Sequence, residues 1–151
     1  MQTRRETLRQ SLAVAGLLAS TGLWPELAHA YNADAFKAKS IADAVKALGA
    51  QAPAASADVN IGGPDIAENG AVVPLTASTT LAGVKHILIL VEKNPSVLVA
   101  KFDVTDAVDA NFATRAKMGQ SSDVYAVAIM GDGKALFAKK EVKVTLGGCG
   151  G

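Results

Sequence analysis

From Ala57 onward, apolar residues recur at about every second position in short runs, and each run is cut off by a turn signal. That period fits strands with one face on a core and leaves little room for a helical bundle over this stretch. Val59 and Ile61 lead into Gly62-Gly63-Pro64-Asp65, and Asn69-Gly70 opens residues 71–76, where Pro74 predicts an edge strand or a bulge. Residues 84–92 are almost continuously apolar, the pattern of a strand buried on both faces. After the turn Lys93-Asn94-Pro95-Ser96, residues 97–105 set Leu98, Ala100, Phe102 and Val104 against Val97, Val99, Lys101 and Asp103, one core face and one mixed face of a hairpin.

A short strand at 111–118 and an apolar one at 124–130 follow, and Gly131-Asp132-Gly133-Lys134 turns the chain into a last strand over 135–146. There Leu136, Ala138, Val142, Val144 and Leu146 share a face, with Lys140 the exception. About seven such strands predict a mainly β fold, an immunoglobulin-like antiparallel β-sandwich, with a small barrel as runner-up. Ahead of them, residues 32–49 read as one α-helix: Ile41, Ala44, Val45 and Leu48 fall on one face, Asn32 is the N-cap and Gly49 the C′ residue. This helix covers one end or face of the core, and residues 50–56 are a connector.

The first thirty residues read differently. Arg4, Arg5 and Arg9 precede a small apolar run at 11–20, too short for a membrane span, and Ala28-His29-Ala30 is a small-x-small cleavage pattern. The expectation is an export signal over 1–30, cut after Ala30, and the paired Arg4-Arg5 resembles a twin-arginine signal, with Thr7 where an apolar aromatic commonly stands. Removing 30 of 151 residues leaves 121, suited to one domain over 31–146 and a tail over 147–151. The signal holds three basic and two acidic residues, so the remaining chain balances at twelve against twelve. With a single arginine, Arg115, and no basic cluster, it is not built for nucleic acid, and after cleavage nothing holds it to a membrane.

Cys149 is the single cysteine, set in Gly147-Gly148-Cys149-Gly150-Gly151. Glycines give it nothing to pack against, so it is poorly placed in a core. One cysteine forms no internal disulfide, and an odd one in an exported chain points to an intermolecular bond or a reactive thiol. Zinc needs about four ligands, and beyond the signal the chain offers this cysteine and His86, so no metal site is expected. At roughly 3.3–3.6 Å per extended residue, the sulfur reaches about 10 Å beyond Leu146, enough to enter a narrow cleft. A thiolate there is a soft nucleophile that forms and breaks S–S bonds.

The run from Val142 through Gly147-Gly148-Cys149-Gly150-Gly151 resembles the SoxY family, the sulfur-carrier subunits of the sulfur-oxidising system. The likeness extends to the export signal, the N-terminal helix and the β-rich domain. The resemblance implies that Cys149 is the covalent attachment point for sulfur intermediates, and that Gly147, Gly148, Gly150 and Gly151 form a flexible arm. It implies a carrier without catalytic residues of its own, with no cofactor beyond the sulfur adduct on Cys149. Its implied partners are a SoxZ-like subunit in a heterodimer, a haem c enzyme that joins thiosulfate to the thiol, a metal-dependent hydrolase that releases sulfate, and a molybdenum- and haem-containing sulfane dehydrogenase. The implied location is the periplasm.

Other readings compete. The terminal glycines are similar to those of ubiquitin-like sulfur carriers, but that chemistry uses ATP in the cytoplasm and conflicts with an export signal. A thiol–disulfide enzyme lacks its resolving cysteine. An exported interaction module dimerised through Cys149 is the alternative that the residues leave open. Lys139, Lys140 and Lys143 read as a solvated strand face and His86 as a core or hydrogen-bonded histidine. Asp103, Asp106 and Asp109 lack the glycine and glutamate of a calcium loop and read as a solvated loop.

Overall fold

The computed structural model describes residues 32–145. The expected signal with Arg4, Arg5, Ala28 and Ala30 lies outside them, as do Leu146 and the tail 147–151 with Cys149. Where one helix was expected, two short ones form: α1 (Ala33–Lys37) and α2 (Ile41–Ala47). The break has local causes. Ala38 takes extended angles (φ −57°, ψ 143°), and Ser40 starts a second helix as its own N-cap. Its Oγ accepts from the Asp43 amide at 3.1 Å and donates to the Asp43 carboxylate at 2.7 Å. A tertiary bond fixes the kink, since Ser96 Oγ donates to the Phe36 carbonyl at 2.6 Å. The caps at both ends are those the residues predict: Asn32 Oδ1 accepts from the Ala35 amide at 3.0 Å, and Gly49 follows α2 at φ 76°.

Nine strands follow among the described residues: β1 (Ala54–Ala55), β2 (Val59–Gly62), β3 (Ile66–Ala67), β4 (Val73–Thr79), β5 (Val84–Val91), β6 (Leu98–Asp103), β7 (Asn111–Ala116), β8 (Ser122–Met130) and β9 (Ala135–Val144). They make a β-sandwich. The larger sheet runs β1-β9-β8-β5-β6 with β3 also on β9, and the smaller runs β2-β4-β7. All pairings are antiparallel except those of β1 and β3, which lie parallel to β9.

The larger sheet is covered on both faces. Ile87, Ile89 and Val91 of β5 meet Leu75 and Ala77 of β4 between the sheets, together with Val124, Ala126, Ala128 and Val142. On the other face, Leu88 and Leu90 pack with Val127 and Ile129 under Ala35, Ala44 and Val45 of the helices. This explains the unbroken apolar run of β5: every side chain from Ile87 to Val91 is fully buried. Each such burial contributes about 1.5–3 kcal/mol. The helix pair thus lies on this domain's own core.

Four sequence expectations change. The connector at 50–56 contains β1, whose Ala54 and Ala55 pair with Leu136 and Phe137. Directly after the turn Gly62-Gly63-Pro64-Asp65, where no strand is expected, β3 forms. Pro74 sits on the central strand of the smaller sheet, but the last β2 pair is Gly62 with Thr76, so β4 has only β7 beside it at Pro74. A missing N–H is tolerated at such a local edge. In β6 the alternation fails, because a register shift at Ile89/Leu90 turns Leu98 towards the helices while Ala100 and Phe102 keep to the inter-sheet core.

Candidate functional site

The strand β9 is the last described element before the tail in sequence, and its described end is held on both sides. On one side β3 pairs Ile66 with Lys143 and Ala67 with Val144. The Lys143 amide donates to the Asp65 carbonyl at 2.9 Å, and the Thr145 amide to the Ala67 carbonyl at 3.1 Å. On the other side Ser122 of β8 pairs with Val142, and the Val144 amide donates to Ser121 Oγ at 2.9 Å. Thr145 is therefore a fixed point, four residues before Cys149.

Three loops gather around this stem. Residues 63–72 carry β3 and the turn at Asn69-Gly70, where the Met118 amide donates to the Gly70 carbonyl at 2.7 Å. The approach is so close that a Cβ on Gly70 would stand 2.3 Å from the Met118 carbonyl oxygen and 2.8 Å from Val144 Cγ1. The 117–121 loop supplies Ser121, and Asn94 Nδ2 ties the third loop to the Lys117 carbonyl at 2.8 Å. Ser122 is buried, and its Oγ accepts from the Lys93 amide at 3.1 Å.

Two of the three lysines upstream of the tail are neutralised. Lys139 Nζ meets the Asp123 carboxylate at 2.9 Å, and this bond raises the ammonium pKa above its ordinary value. Lys140, expected on a solvated face, is only partly exposed. Its Nζ donates to the Gly63 carbonyl at 2.6 Å and pairs with Asp65 at 2.8 Å. The hydrogen bond from Lys140 holds the Asp65 carboxyl below its ordinary range. An inward position on β9 is thus filled by a lysine whose amine secures the loop before β3, which is why Lys140 breaks the apolar pattern. Lys143 has no charged partner among the described residues.

The other sequence candidates lie elsewhere. His86 is partly exposed and hydrogen-bonded, with Nδ1 2.6 Å from Asp103 Oδ1, and Lys101 pairs with the same carboxylate. The Lys101 bond is the first cause of an Asp103 pKa below the ordinary carboxylate range, and His86 adds to it. Asp106 and Asp109 line a cleft of about 620 Å³ with Asn60, Thr80 and Lys85. It sits where β4 ends and β5 and β7 begin, the end of the sandwich away from the stem. Among the described residues, no group of three or more His, Cys, Asp or Glu could hold a metal ion, and no helix is long and apolar enough to cross a membrane.

Sequence reasoning missed Ile66, Gly70 and Ser121 as parts of the stem. Only Gly70 carried a signal, as the second residue of an Asn-Gly turn.

Comparison with known proteins converges on one family. The sequence matches the family described as "Sulfur oxidation protein SoxY" over residues 44–149. The fold is similar to that of the sulfur carrier protein SoxY from Chlorobium limicola f thiosulfatophilum, at 37% identity and a TM-score of 0.62, covering 69% of this chain and 94% of that one. A superoxide reductase (neelaredoxin) from Ignicoccus hospitalis shares the fold at 17% identity and a TM-score of 0.51, over 58% of this chain and 80% of that one. A putative superoxide reductase from Thermotoga maritima does so at 10% identity and a TM-score of 0.50, over 62% and 94%. At such identities the likeness is one of architecture alone. No curated protein sequence matches the chain at a significant level.

Proposed function

Because the chain belongs to the SoxY family of sulfur oxidation proteins, we propose that it carries sulfur intermediates covalently on Cys149 during periplasmic oxidation of thiosulfate and sulfide. The observation that carries this reading is the family match, which extends to Cys149, the single cysteine of the chain. A stem fixed as far as Thr145 supports it. From there Cys149 reaches about 13–14 Å at full extension. Gly147, Gly148, Gly150 and Gly151 add no side chains to collide with the walls of a narrow passage.

The chemistry then runs on one sulfur atom of this chain. The Cys149 thiol loses its proton and joins the terminal sulfur of thiosulfate, forming an S–S bond and releasing two electrons, which a haem c enzyme accepts. Water next cleaves the bond between the outer sulfur and the sulfonate, leaving a persulfide on Cys149 and releasing sulfate and a proton; a metal-dependent hydrolase performs this step. Oxidation of the persulfide's outer sulfur to a sulfonate takes three waters and delivers six electrons and seven protons to a sulfane dehydrogenase. The chain itself contributes the nucleophile and its presentation, and the catalytic groups belong to the partners. A SoxZ-like subunit completes the carrier as a heterodimer.

The organisation that goes with this role is an export signal over 1–30 with Arg4 and Arg5, cleavage after Ala30 next to Ala28, a domain over 31–146 and an arm over 147–151. The twin-arginine route is part of the proposal.

Intact-mass spectrometry tests it on protein from the periplasm of cells grown on thiosulfate, with and without a thiol reductant, beside Cys149→Ser. Reductant-sensitive increments matching sulfur, sulfite or thiosulfate on the monomer, lost in the serine variant, are expected. A bare monomer, or a disulfide dimer alone, would assign the chain to the interaction modules that dimerise through Cys149.

A further inference from the structure

Three large apolar side chains are exposed among the described residues: Ile66 at 57%, Val72 at 51% and Val108 at 46%. Two of them stand at the stem of the tail. Ile66 is the ladder partner of Lys143, two residues before Thr145, so its backbone lies about 4.8 Å from the strand that carries the cysteine. Val72 is two residues beyond Gly70, which abuts Val144, and two residues span at most about 7 Å. Val108 lines the cleft at the other end of the sandwich.

Resting on the carrier reading above, we propose that Ile66 and Val72 form the docking surface for an enzyme with an apolar-rimmed catalytic opening that receives Cys149. Four residues take the chain from Thr145 to Cys149 and set its reach. A thiol limited to about 13–14 Å from Thr145 enters a passage only if the rim of that passage comes down over the stem. The deeper the reacting group, the closer the rim must sit to Ile66 and Val72.

The size of the patch selects the occupant. A permanent subunit or a stable dimer buries about 1,200–2,000 Å² or more, whereas brief encounters bury less. Two isolated aliphatic side chains fit the brief kind, and a carrier that visits several enzymes must also leave each of them. Water released from the two side chains favours the encounter without holding it.

The test uses the chain with its partner subunit and the purified thiosulfate-conjugating haem c enzyme of the same organism, with thiosulfate and an electron acceptor. Loading of Cys149 is followed by intact mass for wild type, Ile66→Glu, Val72→Glu, the milder Ile66→Ser and Val72→Ser, and Val108→Glu. Reaction with a small aromatic disulfide reagent reports the thiol itself, and sedimentation reports assembly. The proposal expects kcat/KM for loading to fall at least about tenfold in the two glutamate variants, mainly through KM, and less in the serine variants. Thiol reactivity, assembly and Val108→Glu stay at wild-type values.

Unchanged loading in both glutamate variants overturns it, as does an equal loss in Val108→Glu. A loss that accompanies slower thiol reactivity assigns the effect to the arm, and one that accompanies dissociation assigns the patch to a subunit or a second copy; either overturns the docking proposal. A wild-type protein with a reactive thiol that the enzyme never loads overturns the carrier reading itself, and the docking surface with it.

Discussion

Gly70 and Val144 approach so closely that no side chain fits between them: a Cβ on residue 70 would stand 2.8 Å from Val144 Cγ1. The Met118 carbonyl oxygen would be nearer still, at 2.3 Å, and backbone does not move aside as a side-chain tip does. Gly70→Ala is therefore expected to destabilise the domain by about 1–3 kcal/mol, the usual range for overpacking. Urea unfolding of the variant beside wild type measures it, and an unchanged midpoint would show that the 69–72 turn yields.

Ser121 is the hydrogen-bond acceptor that closes the stem on the β8 side. Ser121→Ala leaves the Val144 amide without it, at a cost of about 1–3 kcal/mol if that amide stays dry and less if water reaches it. Faster hydrogen exchange at Val144, with exchange in β5 unaltered, is the expected signature. Uniformly faster exchange would mean that the bond supports the whole fold rather than the stem.

Acid sensitivity on the helix-side face traces to Asp103. Folding lowers its pKa below the ordinary 3.8, because Lys101 and His86 bond to the carboxylate. The stabilisation is therefore complete above the unfolded value and drains away as pH falls through the lower, folded one. The carboxylate is mostly exposed, so screening keeps the effect under about 1 kcal/mol. Asp103→Asn is expected to reduce stability at neutral pH and to flatten the loss below pH 3.8. Stability measured from pH 2 to 7 checks this, and parallel curves for the two proteins would contradict it.

Reach is the quantity that the glycines set. Deleting Gly147 and Gly148 shortens the tail by about 7 Å. Enzymatic loading of Cys149 is then expected to fall about a hundredfold, since misplacement by as little as 1 Å can cost that much. Reaction with a small disulfide reagent should remain near the wild-type rate. Equal loss in both assays would point to a change in the thiol rather than in its delivery.

Much of this architecture is legible in the sequence. The apolar run of β5 announced burial on both faces, Asn32 and Gly49 marked the outer ends of the helical region, and Gly131-Asp132-Gly133-Lys134 marked the β8–β9 hairpin. These features are local, and each lies within a few residues of its cause. β1 and β3 were not legible, because two residues carry no period and their partner on β9 is about eighty positions away. The helix break at 38–40 follows from the Ser40 cap and is fixed by Ser96, and the Leu98 turn follows from a bulge at Val99 within β6; neither shows in a periodicity. The same holds for the site. Cys149 stood out because glycine flanks are a poor home for a core cysteine, whereas Ile66 and Ser121 acquire their places only through register.

The pairing of β9 also has a mechanical side. On the carrier reading, an arm drawn into an enzyme and withdrawn again tugs on the strand it continues. Along that strand β1 and β3 lie on one edge and β8 on the other, so a pull along its axis strains two rows of hydrogen bonds sideways and together. A strand bonded along a single edge and pulled outward would open one bond at a time, like a zip. On the carrier reading a pull on Cys149 reaches the domain through Thr145, where the pairing of β9 on both edges resists it.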